Sequence, residues 1–214
     1  MSTPTIGVLA LQGDVREHVD ALERLDVRAI RVRRVEELER CDGLVLPGGE
    51  STTMIKLASV FAIRDAVRDA IASGLPTFGT CAGMILLADR LRDGAPGQET
   101  FGGLDVTVRR NAFGRQVDSF EADLDFTLFD DPVHAVFIRA PWIEEAGPDV
   151  EVLASVAVGD DDGSPGGGAG PWAAEGGNSR IVAVQQGRLL ATSFHPEVDD
   201  DLRLHRHFLD IVTA

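Results

Sequence analysis

The chain has no tyrosine, one lysine (Lys56) against 19 arginines, and only two cysteines among 214 residues. Two isolated thiols, Cys41 and Cys81, cannot build a disulfide framework and are too few for a structural zinc site, so a reduced, cytoplasmic setting is expected. No apolar run approaches the ~20 residues that cross a bilayer. The start, Met1-Ser2-Thr3-Pro4, lacks the basic and apolar segments of a signal peptide. Positive charge is scarce: 20 Lys+Arg against 35 Asp+Glu gives a net charge of −15. Such a surface repels the phosphates of nucleic acids and anionic membranes, so neither is expected as a partner. Salt screens charge down to ~3 Å at 1 M, so an acidic, lysine-poor surface suits a high-salt cytoplasm. A GC-rich genome also favours Arg over Lys codons, but it does not by itself account for 22 aspartates.

With 44% apolar residues the chain can build a full core. The run from Thr5 to Leu11 is too short for a helix and reads as a buried strand. Val15, Val19 and Leu22 fall on one helical face, with Asp14 as N-cap. Strands follow at Val27–Val32 and Gly43–Leu46, then helical periodicity at Ile63, Val67, Ala70 and Ile71, stopped by Gly74. Another buried strand, Pro76–Thr80, leads into a helical run from Met84 to Leu91. Strands alternating with helices imply an α/β fold with a parallel sheet covered on both faces. In the second half, strand-like runs dominate: Leu104–Val108, Ala135–Ile138, Val150–Val158, Ile181–Gln185 and Leu189–Ser193. A last helix carries Leu204, Phe208 and Ile211. Antiparallel additions to one domain, 1–214, are expected. Gly159–Arg180 holds eight glycines and two prolines and reads as a flexible surface loop between two paired strands.

Gly79-Thr80-Cys81-Ala82-Gly83 places a nucleophile at a strand-to-helix turn, flanked by small residues, as in the nucleophile elbow with Cys for Ser. A helix N-terminus beyond it favours a thiolate. Alone, the motif also fits a buried Cys in a tight turn. A partner occurs in Phe194-His195-Pro196-Glu197, where residues two apart on an extended chain project to the same side. Glu197 can then orient His195, leaving its other ring nitrogen for Cys81. The glycines of Pro47-Gly48-Gly49-Glu50 end another strand and can present backbone N–H groups to an oxyanion. No G-K-[ST] follows, which argues against a phosphate loop.

Cys81, the His195/Glu197 pair and the Pro47-Gly48-Gly49 loop, in that order, resemble class I (triad) glutamine amidotransferases. Leu9–Gly13, His18, Pro47–Thr53, Arg110–Gln116 and Phe137–Pro141 are similar, more narrowly, to the glutaminase subunit of pyridoxal 5′-phosphate synthase. The resemblance runs from about residue 5 to 212. It implies a flavodoxin-like, three-layer sandwich around a mostly parallel sheet. It implies hydrolysis of L-glutamine to glutamate and ammonia, with ammonia passed to a synthase subunit in a ring-shaped hetero-oligomer. By position it makes Gly49 and Ala82 the oxyanion donors, and Gly48, Gly49, Glu50, Arg110, Ile138 and Arg139 the glutamine pocket. Gln12, Gly13 and His18 fall on the synthase-facing surface. The chemistry requires no metal or organic cofactor. The chain departs from the family in a lengthened Gly94–Thr100 region and in the long Gly159–Arg180 loop. Rival readings are a glutaminase feeding another acceptor, such as the imidazole glycerol phosphate pathway, and a non-catalytic scaffold. The Arg110–Gln116 stretch speaks against the first and the intact Cys-His-Glu set against the second.

Other residues read as structural. Cys41 lacks an adjacent base, His205 and His207 fit helix packing or a solvated face, and His134 sits at a strand start. Trp142 fits packing, Trp172 the loop, and His18 an exposed helix position by its spacing. The charge balance generates a test. Self-repulsion at −15 opposes compaction at low ionic strength, so the melting temperature should rise from dilute buffer to molar KCl. A flat or falling melting temperature would remove the salt-adaptation reading.

Overall fold

A computed structural model describes residues 3–110, 119–157 and 179–214. The first half runs β1 (Thr5–Leu9), α1 (Val15–Glu23), β2 (Arg28–Val32), α2 (Val35–Leu38), β3 (Gly43–Leu46), α3 (Ser51–Val60), α4 (Arg64–Ala72) and β4 (Thr77–Thr80). It continues through α5 (Ala82–Leu87), β5 (Ala88–Arg92), β6 (Leu104–Arg109), β7 (Ser119–Leu124) and β8 (Val133–Ile138). The chain closes with β9 (Trp142–Ala146), β10 (Glu151–Ala157), β11 (Ser179–Gln186), β12 (Leu189–Thr192) and α6 (Arg203–Thr213).

The main sheet has the order β2-β1-β3-β4-β12-β11-β9-β6-β5, with β10 paired to β11. From β2 through β12 every pairing is parallel. Beyond β12 the pairings with β11, β9 and β6 are antiparallel, and β5 joins β6 in parallel. This is the expected α/β sheet with antiparallel additions. Side chains alternate between two cores. Ile6, Val8, Val45, Phe78 and Leu190 face Val19 and Leu22 of α1 and Phe208 and Ile211 of α6. Leu9, Leu44, Leu46 and Ala191 face Met54 and Ile55 of α3, Val67 and Ile71 of α4, and Leu86 of α5. A separate ribbon, β7–β8, packs on the first core through Phe137, whose ring lies 4.4 Å from Phe120 and 5.5 Å from Phe194. Among the described residues no helix is long and apolar enough to cross a membrane.

Several elements differ from the sequence reading. The run expected as one helix to Leu91 leaves the helix at Leu87 and becomes β5. The Leu86 carbonyl accepts from the N–H groups of Phe101 (2.7 Å) and Gly102 (3.2 Å), so it does not carry the helix onward. Helix α3 was not anticipated, because its polar start follows the glycine loop directly. The Glu50 carboxylate opens it, accepting from Thr52 N–H (3.1 Å) and Thr53 N–H (2.7 Å). Strands β7 and β9 were also missed. In β9 the charges are cross-strand partners: Glu144 pairs with Arg109 and Arg92, and Glu145 with Arg92. Ser179 and Arg180, assigned to the glycine-rich loop, begin β11 and pair with Ala157 and Val156 of β10. The rest of that stretch, 159–178, lies outside the described residues, as does Val158, the expected end of the preceding strand.

Gly83 is the tightest joint between α5 and the sheet. A Cβ there would overlap the Leu46 carbonyl oxygen of β3, which is backbone and cannot swing aside. Gly83→Ala should therefore lower stability by about 1–3 kcal/mol, as overpacking does. Chemical denaturation measures it, and an unchanged midpoint would contradict the close approach.

Candidate active site

Four adjacent parallel strands, β1, β3, β4 and β12, end on the same side of the sheet, and β1 lies where the chain reverses its direction of winding, with β2 on one side and β3 on the other. In open α/β sheets such a crevice at the carboxyl ends is where ligands bind. The loop after each strand brings one part of the site: residues 10–14 after β1, Pro47–Glu50 after β3, Cys81 after β4, and His195 to Glu197 after β12.

Cys81 has φ +48 and ψ −103, a backbone state that is strained for a non-glycine residue. Its N–H donates to the Thr192 carbonyl of β12 (2.8 Å), which helps hold the elbow. The helix behind it, α5, has only six residues, so macrodipole support is weaker than the sequence reading implied. Ala82 N–H stands at the first position of that helix.

His195 is fixed through its own backbone, whose N–H donates to the Val136 carbonyl of β8 (3.0 Å). Its Nδ1 meets Glu197 Oε1 at 2.8 Å. The two side chains come together across a turn, not along the extended chain that was anticipated. Burial opposes charge on the ring, yet hydrogen bonds to Asp14, Cys81 and Glu197 outweigh it and push His195 up to about 12. Burial raises Glu197, and the His195 contact offsets only part of that rise.

Asp14 was read only as the N-cap of α1. Its side chain makes no cap bond; Oδ2 lies 3.4 Å from His195 Nδ1, and that contact lowers the Asp14 pKa. The available signal was its place, directly after Gly13 at the carboxyl end of β1. The ligand-type atoms of Asp14, His195 and Glu197 converge, but the 2.8 Å bond between His195 and Glu197 is a proton's place rather than an ion's.

The Gly48 carbonyl accepts from Asp14 N–H (3.2 Å). The peptide is trans, so Gly49 N–H points the opposite way. Gly49 sits at φ +146, and a Cβ on it would lie 2.6 Å from Gln12 Oε1. A Cβ on Gly48 would overlap the His195 ring. Neither position accepts a side chain.

Glu50 and Arg110, both placed in the glutamine pocket by the resemblance, hold each other at 2.9 Å. Burial tends to raise Glu50, but hydrogen bonds from Thr53 and Thr52 bring it to about 2. Arg110 also donates to Thr52 Oγ1 (3.0 Å) and Gln98 Oε1 (2.6 Å). Gln98 was not singled out, and it lies in the lengthened Gly94–Thr100 region. Ile138 is half-exposed with its carbonyl 4.0 Å from Cys81 Sγ, and Arg139 follows at φ +45, exposed.

Gln12 is half-buried, its Oε1 accepting from Glu50 N–H (2.7 Å), and Gly13 is exposed. His18 is a correction: it was placed on an exposed, partner-facing surface, yet it is wholly buried between α1 and α6. Val19 and Leu22 draw its helix face inward and carry it along. Of the residues read as structural, Cys41 donates to the Glu37 carbonyl (3.3 Å), and burial pushes its thiol up to about 11. Trp142 is buried, and His134 pairs with Asp123 (2.9 Å).

The SNO glutamine amidotransferase family matches residues 8–214. The chain is 62% identical over 212 residues to "Pyridoxal 5′-phosphate synthase subunit PdxT" of Kineococcus radiotolerans, covering 98% of this chain and 95% of the relative. It is 59% identical to the Nocardioides protein of the same name, covering 99% and 98%. A solved structure titled "Crystal structure of glutamine amidotransferase" superposes with TM-score 0.81 at 47% identity, covering 98% of this chain and 99% of that one. A PurLQS structure from Thermotoga maritima, at 19% identity and TM-score 0.59 over 98% and 99%, shares the fold. A full-length family match and relatives near 60% identity, on a sheet whose carboxyl ends gather a cysteine, a histidine and a glutamate, lead to one statement: the chain belongs to the SNO glutamine amidotransferase family.

Proposed function

We propose that this chain is the glutaminase subunit of a pyridoxal 5′-phosphate synthase, hydrolysing L-glutamine to glutamate and ammonia for a synthase subunit. The observation that supports it most is the His195–Glu197 bond beside the strained Cys81 elbow. His195, held protonated by its acidic neighbours and the Cys81 sulfur, keeps the proton it shares with Cys81 while the sulfur attacks the amide carbon. The tetrahedral oxyanion is held by the N–H groups of Ala82 and Gly49, with about 3–4 kcal/mol for each well-placed donor. His195 returns the proton to the leaving nitrogen, ammonia departs, and water attacks the γ-glutamyl thioester with His195 as base. Substrate binding would part the Glu50–Arg110 pair, giving Glu50 to the α-ammonium and Arg110 to the α-carboxylate. Gly48, Ile138 and Arg139 line the side-chain slot. The whole chain acts as one cytoplasmic glutaminase domain. It docks through the surface around Gln12 and Gly13, in a ring-shaped hetero-oligomer through which ammonia passes unexposed to solvent.

In the complex with the cognate synthase subunit, Cys81→Ala should abolish ammonia release, by at least about 10³-fold. Glu197→Gln should lower it about 10²–10⁴-fold, and Cys41→Ala should leave it unchanged. Alkylation should discriminate the thiols, since Cys41 reaches half-ionisation only near pH 11. At neutral pH iodoacetamide should take Cys81 first, and a Cys41→Ala variant that loses the fast phase would overturn the assignment.

Isolated and partnered chains should differ as well. The Gly48–Gly49 peptide is held from one side by the Asp14 N–H, and Gln12 holds the next N–H, that of Glu50, both from the loop proposed to dock. Gaining one oxyanion donor on docking should raise turnover about 10²–10³-fold. Equal ammonia release with and without the synthase subunit would reject this gating.

A further inference from the structure

Two histidines stand behind the triad, and the mechanism above uses neither. His18 of α1 and His205 of α6 are both 0% exposed. Buried imidazoles destabilise a fold unless their hydrogen bonds are in order. His18 Nδ1 lies 3.0 Å from His205 Nε2, and His18 Nε2 lies 3.0 Å from Thr80 Oγ1, the residue before the nucleophile. The same Nε2 is 3.4 Å from Glu197 Oε2, the carboxylate oxygen left over when Oε1 takes the His195 bond. Oε2 is buried and, among the described residues, makes no full hydrogen bond. Phe78 sits edge-on to both imidazoles, at 6.4 and 5.8 Å.

The protons can be placed by counting. Burial, then the neighbouring His205 and His195, pushes His18 well down; burial, then Arg24, takes His205 to about 4. Both rings are therefore neutral at pH 7, each with a single N–H. If His18 carried it on Nδ1, that N–H would donate to His205 Nε2. His205 would then hold its proton on Nδ1, which is buried without a partner among the described residues. The His18 Nε2 lone pair would meanwhile face the Glu197 carboxylate. A buried orphan donor is costly, and the lone-pair contact adds repulsion. In the other arrangement His205 Nε2–H donates to His18 Nδ1, and His18 Nε2–H points between Thr80 Oγ1 and Glu197 Oε2. His205 Nδ1 then keeps a bare lone pair and the Thr80 hydroxyl accepts rather than donates, so what separates the two arrangements is Glu197 Oε2, which meets an N–H here and a lone pair in the other.

We infer that His18 is a positioning residue of the triad, its Nε2–H steadying Glu197 Oε2 while His205 fixes the tautomer that makes this possible. The inference rests on the proposed triad. With one oxygen bonded to His195 and the other met by His18, the carboxylate plane is fixed, and with it the ring that serves Cys81. The anchor also ties α1, α6 and β4 to the catalytic histidine.

The test uses the full chain with its cognate synthase subunit. Nitrogen-15 histidine spectra at pH 7 should show both rings neutral in the Nε2–H tautomer. His18→Leu should lower kcat about 10–100-fold by misplacing the carboxylate, with KM for glutamine unchanged. His18→Gln should recover most of the loss, since its amide can donate toward Glu197 and accept from His205. His205→Leu should lower kcat less, and add nothing on top of His18→Leu. An Nδ1–H tautomer at His18, wild-type kcat in His18→Leu, or equal losses in the Leu and Gln variants would overturn the inference. The spectra of the unaltered chain decide the tautomer even where a variant does not fold. Activity retained in Cys81→Ala would instead bring down the triad itself, so the two failures are distinguishable.

Discussion

The parallel pairing of β4 with β3 on one edge and β12 on the other is the constraint from which the rest of the site descends. In that register the three strands end together, with Leu46 opposite Gly79 and Thr80 opposite Thr192. The Gly48–Gly49 loop, Cys81 and His195 therefore emerge side by side. The Cys81 N–H bond to Thr192 continues the same pairing into the elbow. Gly79 and Gly83 let the backbone of α5 settle onto strands that a side chain would hold away.

Around this frame the protein separates two kinds of charge. On the outer strands, arginines and acids face water: Arg92, Arg109, Glu144 and Glu145 lace β5, β6 and β9 together, each pair adding little on its own. Near the elbow charge is concentrated instead. His195 is surrounded by Asp14, Glu197 and a thiol, and so holds its proton against burial. The ribbon β7–β8 closes one side of the site, hung on Phe137 and bonded to His195 through Val136.

The parallel core was legible because buried strands in this fold are short continuous apolar runs between glycines, and the meeting of Cys81, His195 and Glu197 because they sit at strand ends beside small residues. What escaped has identifiable causes. Strand β9 reads Trp-Ile-Glu-Glu-Ala, and its glutamates look solvent-bound until β5 and β6 supply arginines from far along the chain. Helix α3 hid behind a glycine loop because its cap, Glu50, had been assigned to substrate alone. His18 shows the limit of periodicity, which ranks a histidine as polar and cannot foresee that α6 will offer it an imidazole. Asp14 and Gln98 act through partners 181 and 12 residues away, His195 and Arg110, and the one local mark is Asp14's place after Gly13 at the end of β1.

Asp14 touches two parts of the machinery at once: its N–H holds the Gly48 carbonyl, and its carboxylate lies against His195. A shift of the β1–α1 loop thus pulls on the Gly48–Gly49 peptide and on the His195 ring in a single stroke. The two cannot be tuned one at a time through this loop. A shift that moves the peptide must also alter the electrostatics of the imidazole. Evolution at this position is then a negotiation between both tasks, and a neutral residue here would uncouple them.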